Sequence, residues 1–307
     1  MPAILAHHLF GEDASSLLPG GILANQEEVV AFLLGNQGPD PLSARFMAAP
    51  KVIRTCHTLS ELMHDSSTAD ELRVMHSVIA DFEPQDQAIA TAIMLGFAAH
   101  YLLDSITGPL VLAQVEELRK AHVDLRNARN ELKLLIESDV DTWLMWQKRQ
   151  KTVIEAPASS MLASTSRINR IAGELVARVA DDVYGIHLDA SEYGKSVRDY
   201  RLVYRLIDPP AKLLPRTLSR VESLKHDYPR IDAQRHMIAQ SDECASANLH
   251  HRMWRNPFTT EASSASFADL FHDALLAWPT FSSRVAAGDQ RRVAAMIGGI
   301  NHYGRPC

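Results

Sequence analysis

The sequence predicts an all-α protein, organised mostly as one helical domain with a less regular C-terminal third. Three observations carry this. Apolar residues recur at helical spacing along most of the chain, as in the series Val111, Val115, Leu118, Leu125, Leu132, Ile136, Val140 and Trp143. No run of alternating β-branched residues sits between tight turns, so strands are not expected. Helix punctuation recurs between the periodic segments, as at Gly35-Asn36, Glu83-Pro84 and Gly108-Pro109. With 307 residues and 46% hydrophobic content, the chain can bury one large core. Residues 1–150 are expected to form a helical core carrying the chemistry, and 151–307 a helical part packed on it.

Taken in order, residues 27–34 form a short helix that Gly35-Asn36 ends. A second covers 52–63 and is broken by His64-Asp65-Ser66-Ser67. Thr68-Ala69-Asp70-Glu71 fits a capping box opening a third. Glu83-Pro84 punctuates, and an apolar central helix runs over about 85–106. Gly108-Pro109 is expected to end it, with one long periodic stretch following over 110–150. Residues 153–160 form a loop, helices resume over 166–184 and 195–207, and Pro209-Pro210 and Pro215 interrupt. Segments 266–277 and 290–297 close the set, and no fixed-period repeat is present.

Composition narrows the function. The formal net charge is −6 and no Lys/Arg run stands out, so nucleic acid is not an expected partner. Cys56, Cys244 and Cys307 are odd in number and far apart, which suggests reduced thiols rather than a disulfide framework. The N-terminus lacks the basic and unbroken apolar regions of a signal peptide. The longest apolar run, 88–103, is shorter than the roughly 20 residues of a membrane span. A cytoplasmic location without a transmembrane segment is the expectation.

The chemistry concentrates on His100 and Asp104. Four residues apart on the apolar central helix, they leave the same face as Ile89, Ile93 and Phe97. A carboxylate turned into a core must be paired or bound to a cation, and an imidazole beside it suits a metal. Other candidates stand nearby in sequence. His7 lies close to the N-terminus, Asp40 sits in the rigid loop Gly38-Pro39-Asp40-Pro41, and His57 follows Cys56 in an apolar helix. Glu137 and Asp141 are also four apart, a spacing that taken alone fits a solvated acidic face.

The order of these motifs resembles the zinc-dependent phospholipase C family. Leu33-Leu34-Gly35-Asn36-Gln37-Gly38-Pro39-Asp40-Pro41 is followed by Cys56-His57, then His100-Tyr101-Leu102-Leu103-Asp104, then Ile136-Glu137. The opening Pro2–Gly11 segment, with His7, is similar to a bacterial branch of that family. So are the stretch from Asn248 through Trp254 to Phe258 and the following Ala265-Ser266-Phe267. The resemblance implies a helical bundle of the phospholipase C / P1 nuclease type and a zinc cluster that hydrolyses a phosphodiester or phospholipid-like small substrate. One zinc would be held by Asp40, His57, His100 and Asp104, with Asp40 also orienting or deprotonating the attacking water. A second position would use His7 and share Asp104. The family's third position expects histidines where this chain has Gly108 and Lys133, and only Glu137 of its three ligands is kept. One or two zinc ions are therefore expected. Glycine offers no donor and a charged lysine cannot ligate zinc, but Lys133 and Glu137 are spaced to form an ion pair.

Three functions follow as expectations. The first is a phospholipase C-like, metal-dependent phosphodiester hydrolase with a reduced cluster. The second is a degenerate family member that binds or serves structurally with one metal or none. The third, prompted by His64-Asp65, is a His-Asp phosphohydrolase, and it ranks lowest because that dipeptide ends a helix, where Asp is an ordinary cap or turn residue.

Overall fold

In a computed structural model, residues 4–209 and 233–307 are described. The expected interruption at Pro210 and Pro215 lies outside them. The architecture is all-α: eleven helices and one hairpin of two-residue strands among the described residues. The helices are α1 (Ile4–Ser16), α2 (Gln26–Gly35), α3 (Asp40–Ser43), α4 (Pro50–Asp65), α5 (Thr68–Val78) and α6 (Pro84–Ala121). They continue with α7 (Arg129–Arg149), α8 (Ser166–Tyr184), α9 (Ser191–Ile207), α10 (Phe267–Ala286) and α11 (Gln290–Ile297). Strands β1 (Trp254–Arg255) and β2 (Ala262–Ser263) pair antiparallel before α10.

The central helix α6 organises the rest. Its middle, from Ala92 through Tyr101, is buried almost all round, with α2, α10 and α7 packed against it. By length and composition α6 could cross a membrane, but 83% of its apolar window is buried inside this fold, as in a core helix. The α2–α6 crossing is a backbone contact. A Cβ on Gly35 would lie 2.5 Å from the Ile93 carbonyl oxygen, and one on Gly96 would lie 2.4 Å from that of Phe32. Only glycine at both positions permits this approach, which lays the loop after α2 onto the next turns of α6.

Three expectations are corrected. Gly108-Pro109 does not end the central helix, which continues to Ala121 with Pro109 inside it. Proline removes one helical hydrogen bond and costs roughly 3 kcal/mol in an isolated helix. Here the C-terminal turn packs on that site, with Gly304 against the Ser105 carbonyl and the Pro109 ring, and tertiary contact holds the helix through it. The stretch 110–150 is accordingly two helices. Its apolar stripe folds back on itself, so that Val111 and Val115 of α6 meet Leu132 and Ile136 of α7 in a small satellite core. The third correction is at α5, where Ser67 occupies the cap without a side-chain cap bond. The expected capping partner, Glu71, is buried and accepts a hydrogen bond from the Tyr184 hydroxyl of α8 instead.

The first helix, α1, was not expected as an element and is wedged into the core. It meets α10 where Phe10 packs edge-on to Phe271 at 5.4 Å and Trp278 Nε1 donates to the Ala14 carbonyl at 2.9 Å. Its N-terminus is held by Asp141 of α7. That carboxylate accepts from the backbone N–H of Leu5 at 3.0 Å and of Ala6 at 2.8 Å, which also suits the positive end of the helix dipole. Asp141 is therefore fully buried rather than part of a solvated face, and it fixes the helix that carries His7.

Candidate metal site

The site forms where α1, the α2–α3 turn, α4, α6 and the C-terminal turn converge. His100 is fully buried on α6. Its Nδ1 lies 3.0 Å from the Asn36 carbonyl oxygen. A carbonyl only accepts, so Nδ1 carries the proton and the neutral ring directs its Nε2 lone pair the other way. Nε2 lies 3.4 Å from Asp104 Oδ2 and makes no hydrogen bond among the described residues. An imidazole lone pair thus faces a carboxylate oxygen inside the protein, an arrangement that a cation between them relieves.

His7, one turn into α1, stacks on the His100 ring at 4.0 Å. Its Nε2 lies 3.1 Å from the other Asp104 oxygen, and neither ring nitrogen makes a hydrogen bond among the described residues. Asp40 is the first residue of α3 and is fully buried. Its Oδ1 lies 3.2 Å from Nε2 of His64, whose Nδ1 faces the Ser60 carbonyl at 2.7 Å. Backbone carbonyls therefore set the tautomer of both His64 and His100, as the outer partners of metal-bound histidines do. Two trios, His7/His100/Asp104 and Asp40/His64/His100, each have their donor atoms within 4.8 Å of one another.

The turn that delivers Asp40 is tightly specified. Gly38 has φ +51°, and a Cβ there would sit 2.5 Å from His100 Cδ2. The Gly38 carbonyl accepts from the Tyr193 hydroxyl at 2.8 Å, and the Pro39 carbonyl from Ser60 Oγ at 3.2 Å.

Of the sequence-predicted residues, the structure brings together His7, Asp40, His100 and Asp104. It does not bring His57. That ring is half-buried, with Nε2 3.0 Å from the Arg45 carbonyl, in the α3–α4 connection. The residue facing Asp40 is His64, two turns further along the same helix. His64-Asp65 is thus more than a helix end: His64 is buried in the site, while Asp65 pairs with Arg305 at 3.0 Å. His302 is a second residue that sequence reasoning missed. Its buried ring lies 5.0 Å from that of His64 and 5.4 Å from that of His100. No local motif marks it.

Glu137 is buried on α7, where Lys133 Nζ lies 3.0 Å from its Oε1. The expected i, i+4 ion pair is present.

The electrostatics follow from burial and from these neighbours. Burial would raise the Asp104 carboxyl, but His100 and His7 outweigh it and hold Asp104 well below the ordinary carboxylate range. Burial, with His7 adding to it, holds His100 well below its ordinary value. Burial lowers His64 likewise and pushes His302 down to about 4. Burial raises Glu137 despite the opposing Lys133. Burial would lower Lys133, but Glu137 overrides it and keeps the ammonium protonated. His64, His100 and His302 thus favour the neutral imidazole and Asp104 the carboxylate, the forms a metal ion requires.

Beside the donors lies a cleft of ≈ 20 Å³ lined by His7, Asp104, Gly108, Lys133, Glu137 and His302 among others. That is room for about one water or ion in this conformation. Comparison of the chain with family models, with curated proteins and with solved structures gives no match.

Proposed function

We propose that the chain is a metal-dependent phosphodiester hydrolase, similar in chemistry to the zinc-dependent phospholipases C, working with one or two ions on a phosphodiester or phospholipid-like small substrate. The observation that carries this reading is the buried His100 Nε2, its lone pair turned onto Asp104 where His7, His64 and Asp40 converge. Zinc suits the donor set, which is imidazole nitrogen and carboxylate oxygen without thiolate.

His100 has one outward nitrogen and serves one ion. The two trios therefore describe a principal site of Asp40, His64, His100 and Asp104, with His7 and the second Asp104 oxygen as an adjoining position. When bound, zinc would supply an acidified water and polarise a phosphoryl oxygen. The protein's own groups do the rest. The Asn36 and Ser60 carbonyls hold the two rings in the donor tautomer. Asp104 keeps its charge and spans both positions. Asp40 would accept the proton of the attacking water, from a backbone that Gly38 and Tyr193 hold rigid.

One observation favours a second reading, a degenerate member that holds one metal or none and binds rather than cleaves. At the third position that the resemblance implies, Gly108 offers no donor and Lys133 is paired with Glu137. A chromogenic phosphodiester assayed with added zinc separates the two. Zinc-dependent turnover abolished by Asp104→Asn supports the hydrolase. Zinc uptake without turnover supports the binding protein.

A further inference from the structure

We infer that Lys133 is an oxyanion-binding group of this cleft, holding a phosphoryl oxygen at the wall formed by α7 and the C-terminal turn. The inference rests on the phosphodiester reading for its choice of ligand. Its geometry is independent of any ion.

Three observations carry it. Lys133 is the one Lys or Arg among the described residues lining the cleft, which His7 and Asp104 also line. Its position is fixed from two sides: Nζ lies 3.0 Å from Glu137 Oε1 and 5.0 Å from the centre of the Tyr303 ring. An ammonium has three donors, so a single carboxylate oxygen and a ring face leave capacity for a further acceptor. The wall is also built for this arrangement. A Cβ at Gly108 would lie 3.3 Å from the His302 carbonyl oxygen and from Tyr303 Cα, which is tighter than ordinary contact. The C-terminal turn thus packs closely against α6 beside the cleft. The same turn supplies the Tyr303 ring that covers Lys133. A lysine held this way is a point-charge binder of phosphate.

A bland alternative is that Lys133 only neutralises Glu137. Lys133→Met alone would leave a buried carboxylate unpaired and could unfold the chain. The informative variant is therefore Lys133→Met combined with Glu137→Gln, which removes both charges. The probe is inorganic phosphate, titrated by calorimetry into the full chain as isolated and after zinc loading, with zinc content measured in parallel. The expected result is unchanged zinc content and phosphate affinity about 10- to 100-fold weaker in the double variant, the size of a lost charge-assisted hydrogen bond. Lys133→Arg should retain most of the affinity. Equal phosphate affinity in the wild type and the double variant would overturn the inference. So would failure of the wild type to bind phosphate at millimolar concentration in either form. A wild type that takes up no zinc but binds phosphate through Lys133 would sink the hydrolase reading and leave this inference standing.

Discussion

Replacing His236 by glutamine should cost more stability near pH 6 than near pH 9.5. His236 is fully buried between two carboxylates, with Nε2 3.1 Å from Asp141 Oδ2 and Nδ1 3.0 Å from Asp208 Oδ2. Its ring stacks on Tyr204 at 5.3 Å. Burial disfavours the imidazolium, but the hydrogen bonds to Asp141 and Asp208 outweigh it and push His236 up to about 9 from 6.5. The folded value lies above the unfolded one. The contribution to stability is therefore complete below about pH 6.5 and is lost as the pH rises through about 9. At roughly 1.4 kcal/mol per pH unit, the gap amounts to about 3 kcal/mol. Urea unfolding of the wild type and His236→Gln at both pH values measures it, because other titrating groups largely cancel between the two proteins. The difference between them should shrink by about 3 kcal/mol from the lower to the higher pH. A gap that stays constant with pH would refute a charged His236. The effect should also reach the metal site, since Asp141 caps the helix that carries His7.

Two further predictions concern the site directly. Gly38→Ala meets both a left-handed φ and a 2.5 Å approach to His100, whereas Gly298→Ala, at φ +63°, meets only the backbone term because its nearest neighbour is 4.0 Å away. Both should lose roughly 1–2 kcal/mol of stability for the backbone, but only Gly38→Ala should weaken zinc binding, by more than about tenfold. His64→Ala should lower zinc affinity by at least about tenfold while His57→Ala leaves it within about twofold. The reverse order, read by competition with a chromophoric chelator, would restore His57 as the ligand.

The helices most legible in the sequence were those with contrast between faces and clear ends. α8 begins after the Thr165 cap and stops at Gly185 with φ +63°, and α11 lies between Asp289 and Gly298. α1 carries no such contrast, because Ile4, Leu5, Ala6, His7, Leu9 and Phe10 are all buried and point around the helix. Pro109 misled because its cost is offset by the C-terminal turn, a partner about 200 residues away in sequence. In the site, the spacing of His100 and Asp104 was informative because both extend an apolar face. His57 and His64 are two turns apart on one helix, so spacing cannot separate them, and the distance to Asp40 decides. Glu137 and Asp141 show the same limit. Their spacing was visible, but burial depends on α1 and on the Lys133 pair, which no local pattern encodes. His302 arrives from the chain end and has no signal near it.

The central claim is that His100, Asp104 and their neighbours hold a metal ion. The direct measurement is zinc per chain after dialysis against micromolar free zinc, for the wild type and for Asp104→Asn, with circular dichroism to show that both are folded. The account predicts one to two equivalents in the wild type and a loss of at least one in the variant. A folded wild type that retains no zinc, or a variant that retains as much as the wild type, would contradict it.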